Sequence, residues 1–284
     1  MSAGPTVEGL LKDAADRLSA AGVPGARSDA RRLMIWALGL QDGAVLEAQD
    51  DRPLSDDHVA RFRDAVTERV NRRPFSQITG RRSFWTHEFL VTGDVLDPRP
   101  ETETLVSAAL DAHFHRLLDL GTGSGCILLS LLAERSGAQG MGVDMSKEAL
   151  AVARKNASRL GVQDRATFCC SDWFSHVEGR FDLIVSNPPY ISAQEMETLA
   201  PEVADWEPRV ALTDERDGLT AYRSIAREVD SYLEPGGRLM VEVGATQGAD
   251  VCAVFAAAGL GRAQVLQDLD GRDRVVAWRK AKGA

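Results

Sequence analysis

Four consecutive residues, Asn187-Pro188-Pro189-Tyr190, close the apolar run FDLIVS and combine types that can do chemistry together. Each proline removes a backbone donor and restricts the residue before it to extended conformations. That is a costly way merely to turn a chain, so the segment reads as a stiff holder of something planar. An amide or aromatic-amine nitrogen is a poor nucleophile because its lone pair is delocalised. Two acceptors, one for each N–H, can hold such a nitrogen with the lone pair aimed at an electrophile. The Asn187 side-chain oxygen and the Pro188 backbone carbonyl supply that pair. Pro189 keeps the carbonyl in extended geometry, and Tyr190 offers a ring face for a planar acceptor or a positive centre. The plainer reading is a Pro-Pro turn with no role.

The electrophile is indicated upstream, in LLDLGTGSGCILLSLL. A strand over 116–120 runs into Gly121, Thr122, Gly123, Ser124 and Gly125 and straight into a helix. Glycines there permit a tight turn and a close approach of backbone to ligand. Asp144 ends the next strand, 19 residues after Gly125, where a carboxylate accepts from ribose hydroxyls. A glycine loop of this kind also fits dinucleotide enzymes. The GxGxG spacing and Asp119 tilt the reading, because a carboxylate beside the loop suits an ammonium-sulfonium ligand and repels a pyrophosphate. Both point to S-adenosylmethionine. In CSDWF, Asp172 and Trp173 offer a carboxylate for an exocyclic amine and a flat apolar wall for adenine. The plainer alternative is a loop Asp beside a core Trp.

Positioning these residues needs elements in a particular order. From about residue 101, helical and strand patterns alternate. Helix 101–113 leads to strand 116–120, helix 125–135, strand 140–144, helix 146–160, strand ATFCC and strand 181–186. A helix near 217–233, strand 237–243, a helix near 246–259 and two closing strands near 263–268 and 273–279 follow. Alternation of this kind predicts a mostly parallel sheet of seven strands covered on both faces, with ligands beyond the carboxyl ends of the strands. The closing pair, separated by DLDGRD, reads as a hairpin that makes one strand antiparallel. The first 73 residues read as helices alone, capped by Thr6, Ser28 and Ser55, and form a small bundle. Between them, FSQITGRRSFWTHEFLVTGDVL (75–96) is rich in aromatic and β-branched residues and predicts a hairpin. The expected divisions are a helical recognition domain (1–73), a hairpin connector (74–98) and an α/β domain (99–284).

Composition narrows the classes. Residues 1–82 carry 13 Lys and Arg against 12 Asp and Glu, and the remainder carries 20 against 30. A main body so acidic argues against a broad nucleic-acid-binding face. No apolar run reaches membrane-spanning length, and charges occupy the place of a signal-peptide core, so a cytoplasmic protein is expected. Cys126, Cys169, Cys170 and Cys252 have no framework or metal-ligand spacing and read as reduced thiols, and no metal is expected.

DLGTGSG, VDMS, SDWF and VSNPPYI together resemble class I SAM-dependent methyltransferases that modify planar NH2 groups. The flanking FSQITGRRSFW, VLDPRPETETLV and EVADWEPRVALTDERDGLTAYRSI extend the resemblance over nearly the whole chain to the HemK/PrmC family. That resemblance implies a Rossmann-like methyltransferase domain with an N-terminal helical domain for partner recognition. It implies transfer of methyl from S-adenosylmethionine to the glutamine side-chain amide in the Gly-Gly-Gln motif of class I peptide release factors. It places the cofactor site on Gly121 to Gly125, Asp144, Trp173 and Asn187, and the glutamine site on Asn187 to Tyr190. RPETE brings Arg99, Glu101 and Thr102 to the mouth of that site, although Glu101 also suits the first turn of a helix. Asp97 departs from the pattern, standing where relatives carry an apolar residue.

Arg72, Arg73, Arg81 and Arg82 read either as solvated surface or as a patch for the release factor. A monomer, with no membrane and no direct nucleic-acid contact, is expected. The alternatives are glutamine methylation of a ribosomal protein, adenine methylation of nucleic acid, and a non-catalytic SAM-binding regulator or translation-factor adaptor.

Overall fold

A computed structural model describes residues 6–40, 54–111 and 113–282. The chain forms two compact units, residues 1–80 with 200–206, and residues 81–199 with 207–284.

In the first unit, helices Val7–Ala20, Ala26–Ala37 and Asp56–Val70 bury Leu10, Leu18, Leu33, Met34, Phe62 and Val66 against one another. The Thr6 and Ser55 hydroxyls accept from the Gly9 and His58 amides, both at 3.2 Å, and so cap the first and third helices. Ser28 does not cap the second. Gly25, in the left-handed conformation, starts that helix earlier and leaves Ser28 inside its first turn. Residues 75–79, expected to be extended, form a helical turn, because Pro74 sets up a helix start and Gly80 at φ 73° ends it. An ion cluster binds the unit. Arg69 reaches Asp29 at 2.8 Å and Glu202 at 3.1 Å, and Arg72 reaches Glu202 at 2.7 Å. Arg72 also donates to the carbonyls of Ala21 and Gly22, so its donors are turned inward.

The second unit begins with a hairpin of β1 (Arg81–Phe84) and β2 (His87–Leu90), whose Phe84 and Phe89 rings meet edge to face. The main sheet holds β3 (Arg116–Leu120), β4 (Gln139–Asp144), β5 (Ala166–Cys170), β6 (Phe181–Ser186), β7 (Leu233–Glu242), β8 (Gln264–Gln267) and β9 (Asp273–Arg279). Its order is β5-β4-β3-β6-β7-β9-β8, with β9 antiparallel to both neighbours. The closing hairpin therefore inserts its second strand next to β7. Apolar residues alternate across the sheet: Leu117 joins the core under helix Cys126–Glu134, and Leu118 joins the core under helix Thr220–Tyr232. The helix expected over 101–113 is shorter. A 3₁₀ turn, Pro100–Thr102, precedes helix Glu103–Leu110, and Ala112 lies outside the described residues.

Buried Asn156, on helix Lys147–Leu160, pins three backbone groups. Its side chain accepts from the Leu90 amide at 2.7 Å and donates to the carbonyls of Leu90 (3.0 Å) and Ser124 (2.9 Å). It thus ties β2 and the glycine loop to one helix. Replacing Asn156 with Ala strands those groups, and a loss of about 2–4 kcal/mol is expected in chemical denaturation. An unchanged denaturation midpoint would contradict this role.

Candidate active site

The registers of β3 bring the reactive segments together. Leu120 pairs with Val143 on one side and with Ser186 on the other. The glycine loop, Asp144 and Asn187 therefore leave three adjacent strands at the same edge. The Ser186 hydroxyl donates to the Leu120 carbonyl at 2.7 Å in the buried seam. The Gly121 and Thr122 amides both donate to the Val143 carbonyl at 2.9 Å, which folds the loop back over β4.

Beyond these strand ends lies a cavity of about 350 Å³, within the ~300–1,000 Å³ range of small-molecule sites. Gly121, Thr122, Gly123, Ser124, Asp144, Asp172, Trp173, Asn187, Pro189 and Arg99 line it. Asp119, Gly125, Pro188, Tyr190 and Glu101 do not. Gly121 and Gly123 have positive φ and open space where a side chain would stand. A side chain on Gly125 would instead run into Leu129, so the third glycine serves helix packing.

Asp144 is held by two backbone donors. Gly123 N–H reaches Oδ2 and Ser146 N–H reaches Oδ1, each at 2.9 Å. Burial still raises its pKa above the usual carboxylate value. Asp119 is wholly buried beneath the loop and accepts from the Thr122 hydroxyl at 2.7 Å, and burial pushes its pKa up to about 7. Its influence on a ligand is therefore through space. Trp173 holds a positive φ of 47°, with its carbonyl accepting from the Ser171 hydroxyl at 2.9 Å, while Asp172 is exposed. Cys126 also lines the cavity, and burial raises its thiol to about 12, which leaves it unreactive.

The segment after β6 is strapped from behind. Gln247 Nε2 donates to the Tyr190 carbonyl at 2.9 Å, and the Ile191 amide donates to the Leu212 carbonyl at 2.9 Å. Gly218 must be glycine, because any side chain there would collide with the Tyr190 carbonyl. Among the described residues, neither Asn187 Oδ1 nor the Pro188 carbonyl accepts a hydrogen bond, whereas Asn187 Nδ2 donates to the Thr102 hydroxyl at 3.3 Å. Arg99 forks onto both Glu207 oxygens at 2.7 and 2.8 Å. Buried Asp97 is paired with Arg82 at 3.7 Å and does not line the cavity. Sequence reasoning gave neither Glu207 nor Glu242 a role: Glu207 stands in the EVADWEPRVALTDERDGLTAYRSI stretch that carries the resemblance, and the signal for Glu242 is a carboxylate inside the otherwise apolar strand RLMVEV.

Sheet order, glycine loop and strand-end Asp define a class I methyltransferase, and residues 114–269 match the methyltransferase-domain family. A methyltransferase structure from Pyrococcus furiosus has the same fold, with TM-score 0.53 at 14% identity over 68% of this chain and 88% of its own. Residues 9–80 match the PrmC N-terminal domain family. The release factor glutamine methyltransferase of Cereibacter sphaeroides is 53% identical over 95% of this chain and 96% of its own length. That of Rhodospirillum rubrum is 46% identical over 96% and 85%. The chain belongs to the release factor glutamine methyltransferase family.

The lining fits S-adenosylmethionine, with open backbone at Gly121 and Gly123, the Asp144 carboxylate at a strand end, and Trp173 as a flat wall. Replacing Asp144 with Ala is expected to weaken cofactor binding about 10- to 100-fold by calorimetry. Unchanged affinity would sink that assignment. A pH effect follows from burial. Asp119, Glu207 and Glu242 each titrate near 7 in the folded protein, against about 4 when unfolded. Groups raised by folding contribute stability that is complete below the unfolded pKa and lost as pH rises through the folded one. Melting followed by circular dichroism should therefore occur at lower temperature at pH 8 than at pH 5.5. The opposite order would contradict this account of the buried carboxyls.

Proposed function

We propose that this chain transfers methyl from S-adenosylmethionine to the side-chain amide nitrogen of the glutamine in the Gly-Gly-Gln motif of class I peptide release factors. The observation that carries the reading is Asn187. It lines the same cavity as Gly121, Gly123 and Asp144, with its side-chain oxygen uncommitted.

When bound, the cofactor supplies an electrophilic methyl carbon beside a positive sulfur. Gly121, Gly123, Asp144 and Trp173 would hold it, with Asp144 accepting from the ribose and Trp173 flanking the adenine. Asp119 adds negative potential beneath the loop, which favours a cationic ligand. Asn187 Oδ1 and the Pro188 carbonyl each accept one N–H of the glutamine amide. That orients its nitrogen and excludes poses in which the delocalised lone pair points elsewhere. The nitrogen becomes acidic once methylated, so no strong base is required. The proline pair and the straps on Tyr190 and Ile191 keep the acceptors in place before substrate arrives. A protein acceptor rather than a nucleobase is supported by the acidic body of the chain.

Incubation with labelled S-adenosylmethionine should place label on a purified release factor and not on one whose Gly-Gly-Gln glutamine has been replaced. Label on both, or on neither, would overturn the reading. Replacing Asn187 with Ala should cut turnover about 100-fold or more, and a fully active variant would refute its role.

A further inference from the structure

The strand order β5-β4-β3-β6 sets Trp173, Asp144, the glycine loop and Asn187 one after another along the rim of the cavity. With adenine at Trp173 and ribose at Asp144, the amino-acid tail of S-adenosylmethionine runs toward the β6 end. The 3₁₀ turn Pro100–Thr102 stands at that end, because the Thr102 hydroxyl accepts from Asn187 Nδ2 at 3.3 Å. Arg99 immediately precedes the turn and lines the cavity.

That tail ends in a carboxylate, and most of the cavity is hostile to one. Asp94, Asp144, Asp172 and Asp214 all line it, so an added negative charge is repelled unless a cation meets it. Among the described lining residues, Arg99 is the only Lys, Arg or His. Its guanidinium is held in advance. Nη2 donates to both Glu207 oxygens at 2.7 and 2.8 Å, and the Glu207 side chain is 1% exposed while that of Arg99 keeps 30%. The backbone is fixed on either side, with Arg82 Nε donating to the Pro98 carbonyl at 3.0 Å and the Thr102 amide to the Arg99 carbonyl at 3.1 Å. Among the described residues, Arg99 Nε and Nη1 have no acceptor, so the planar fork can take a second carboxylate. Burial pushes Glu207 up to about 7, so near neutrality it cancels only part of the arginine's charge.

We propose that Arg99 binds the carboxylate of the S-adenosylmethionine tail with the donors that Glu207 leaves uncommitted. This rests on the reading of the cavity as the cofactor site. Protein and ligand then match from end to end: a flat wall for adenine, a strand-end carboxylate for the ribose hydroxyls, and a cation for the carboxylate. Charge-assisted bonds from arginine to carboxylate are strong and directional. Anchoring both ends of the cofactor limits how far its methyl carbon can slide relative to Asn187. The same pairing discriminates against adenosine compounds that lack the tail carboxylate.

The test is calorimetry on the full-length protein with two ligands that differ only in that group, S-adenosylmethionine and its decarboxylated form. The wild type should bind S-adenosylmethionine about 10- to 100-fold more tightly than the decarboxylated ligand. Arg99→Gln should lose that preference, falling about 10- to 100-fold on S-adenosylmethionine and changing less than about threefold on the decarboxylated form. Asp144→Ala should weaken both ligands alike; if it weakens neither, the cofactor site falls and the proposal with it. Equal wild-type affinities overturn the Arg99 pairing alone, and so does an Arg99→Gln variant that keeps the preference. The wild-type comparison needs no substitution, so it decides even where Arg99→Gln fails to fold. A raised KM for release factor in Arg99→Gln, with the ligand preference intact, would assign Arg99 to peptide carbonyls and likewise overturn the proposal.

Discussion

Every feature of the cavity depends on the paired register of β3, with Leu120 opposite Val143 on one edge and Ser186 on the other. A slip of one residue would move a set of side chains to the other face of the sheet and separate the glycine loop from Asn187. The register is locked where it matters, by the buried bond from Ser186 to the Leu120 carbonyl and by two loop amides sharing the Val143 carbonyl. Asn156 then fastens the outer side of the loop to a helix. The glycine loop, Asp144 and Asn187 thus belong to one edge, which suits a reaction that relies on positioning.

The buried carboxyls show what that arrangement costs. Asp119, Glu207 and Glu242 are held where ionisation is unfavourable, and apolar residues would pack more cheaply there. Two of them stand behind residues that line the cavity: Asp119 behind Thr122 and Glu207 behind Arg99. The pattern is a set of buried carboxyls set behind the lining. Active sites commonly retain perturbed carboxyls.

Much of this was legible in the sequence because it is local or periodic. Strand ends at Leu120, Asp144 and Ser186 follow from apolar runs meeting glycine, aspartate and asparagine. The antiparallel closing pair follows from DLDGRD. The helical turn at Phe75–Thr79 departs from the composition-based expectation because Pro74 and Gly80 bound it against an aromatic and β-branched background. The second helix starts ahead of Ser28 because a left-handed Gly25 outcompetes the serine as cap. The distinct part of Gly125, as a packing glycine, and the lateral position of Asp97 depend on tertiary neighbours that no spacing reveals. The same holds for Glu242, which is far from Asn187 in sequence and comes near it only because β7 pairs with β6.

The central claim is that the rigid edge built on β3, β4 and β6 aims a glutamine amide nitrogen at a transferable methyl group. The most direct measurement is fragmentation mass spectrometry of a release factor incubated with this protein and S-adenosylmethionine. The account predicts a single added methyl on the side-chain amide of the Gly-Gly-Gln glutamine, with no other residue changed. A methyl mapped to any other residue, or to the main chain, would contradict it.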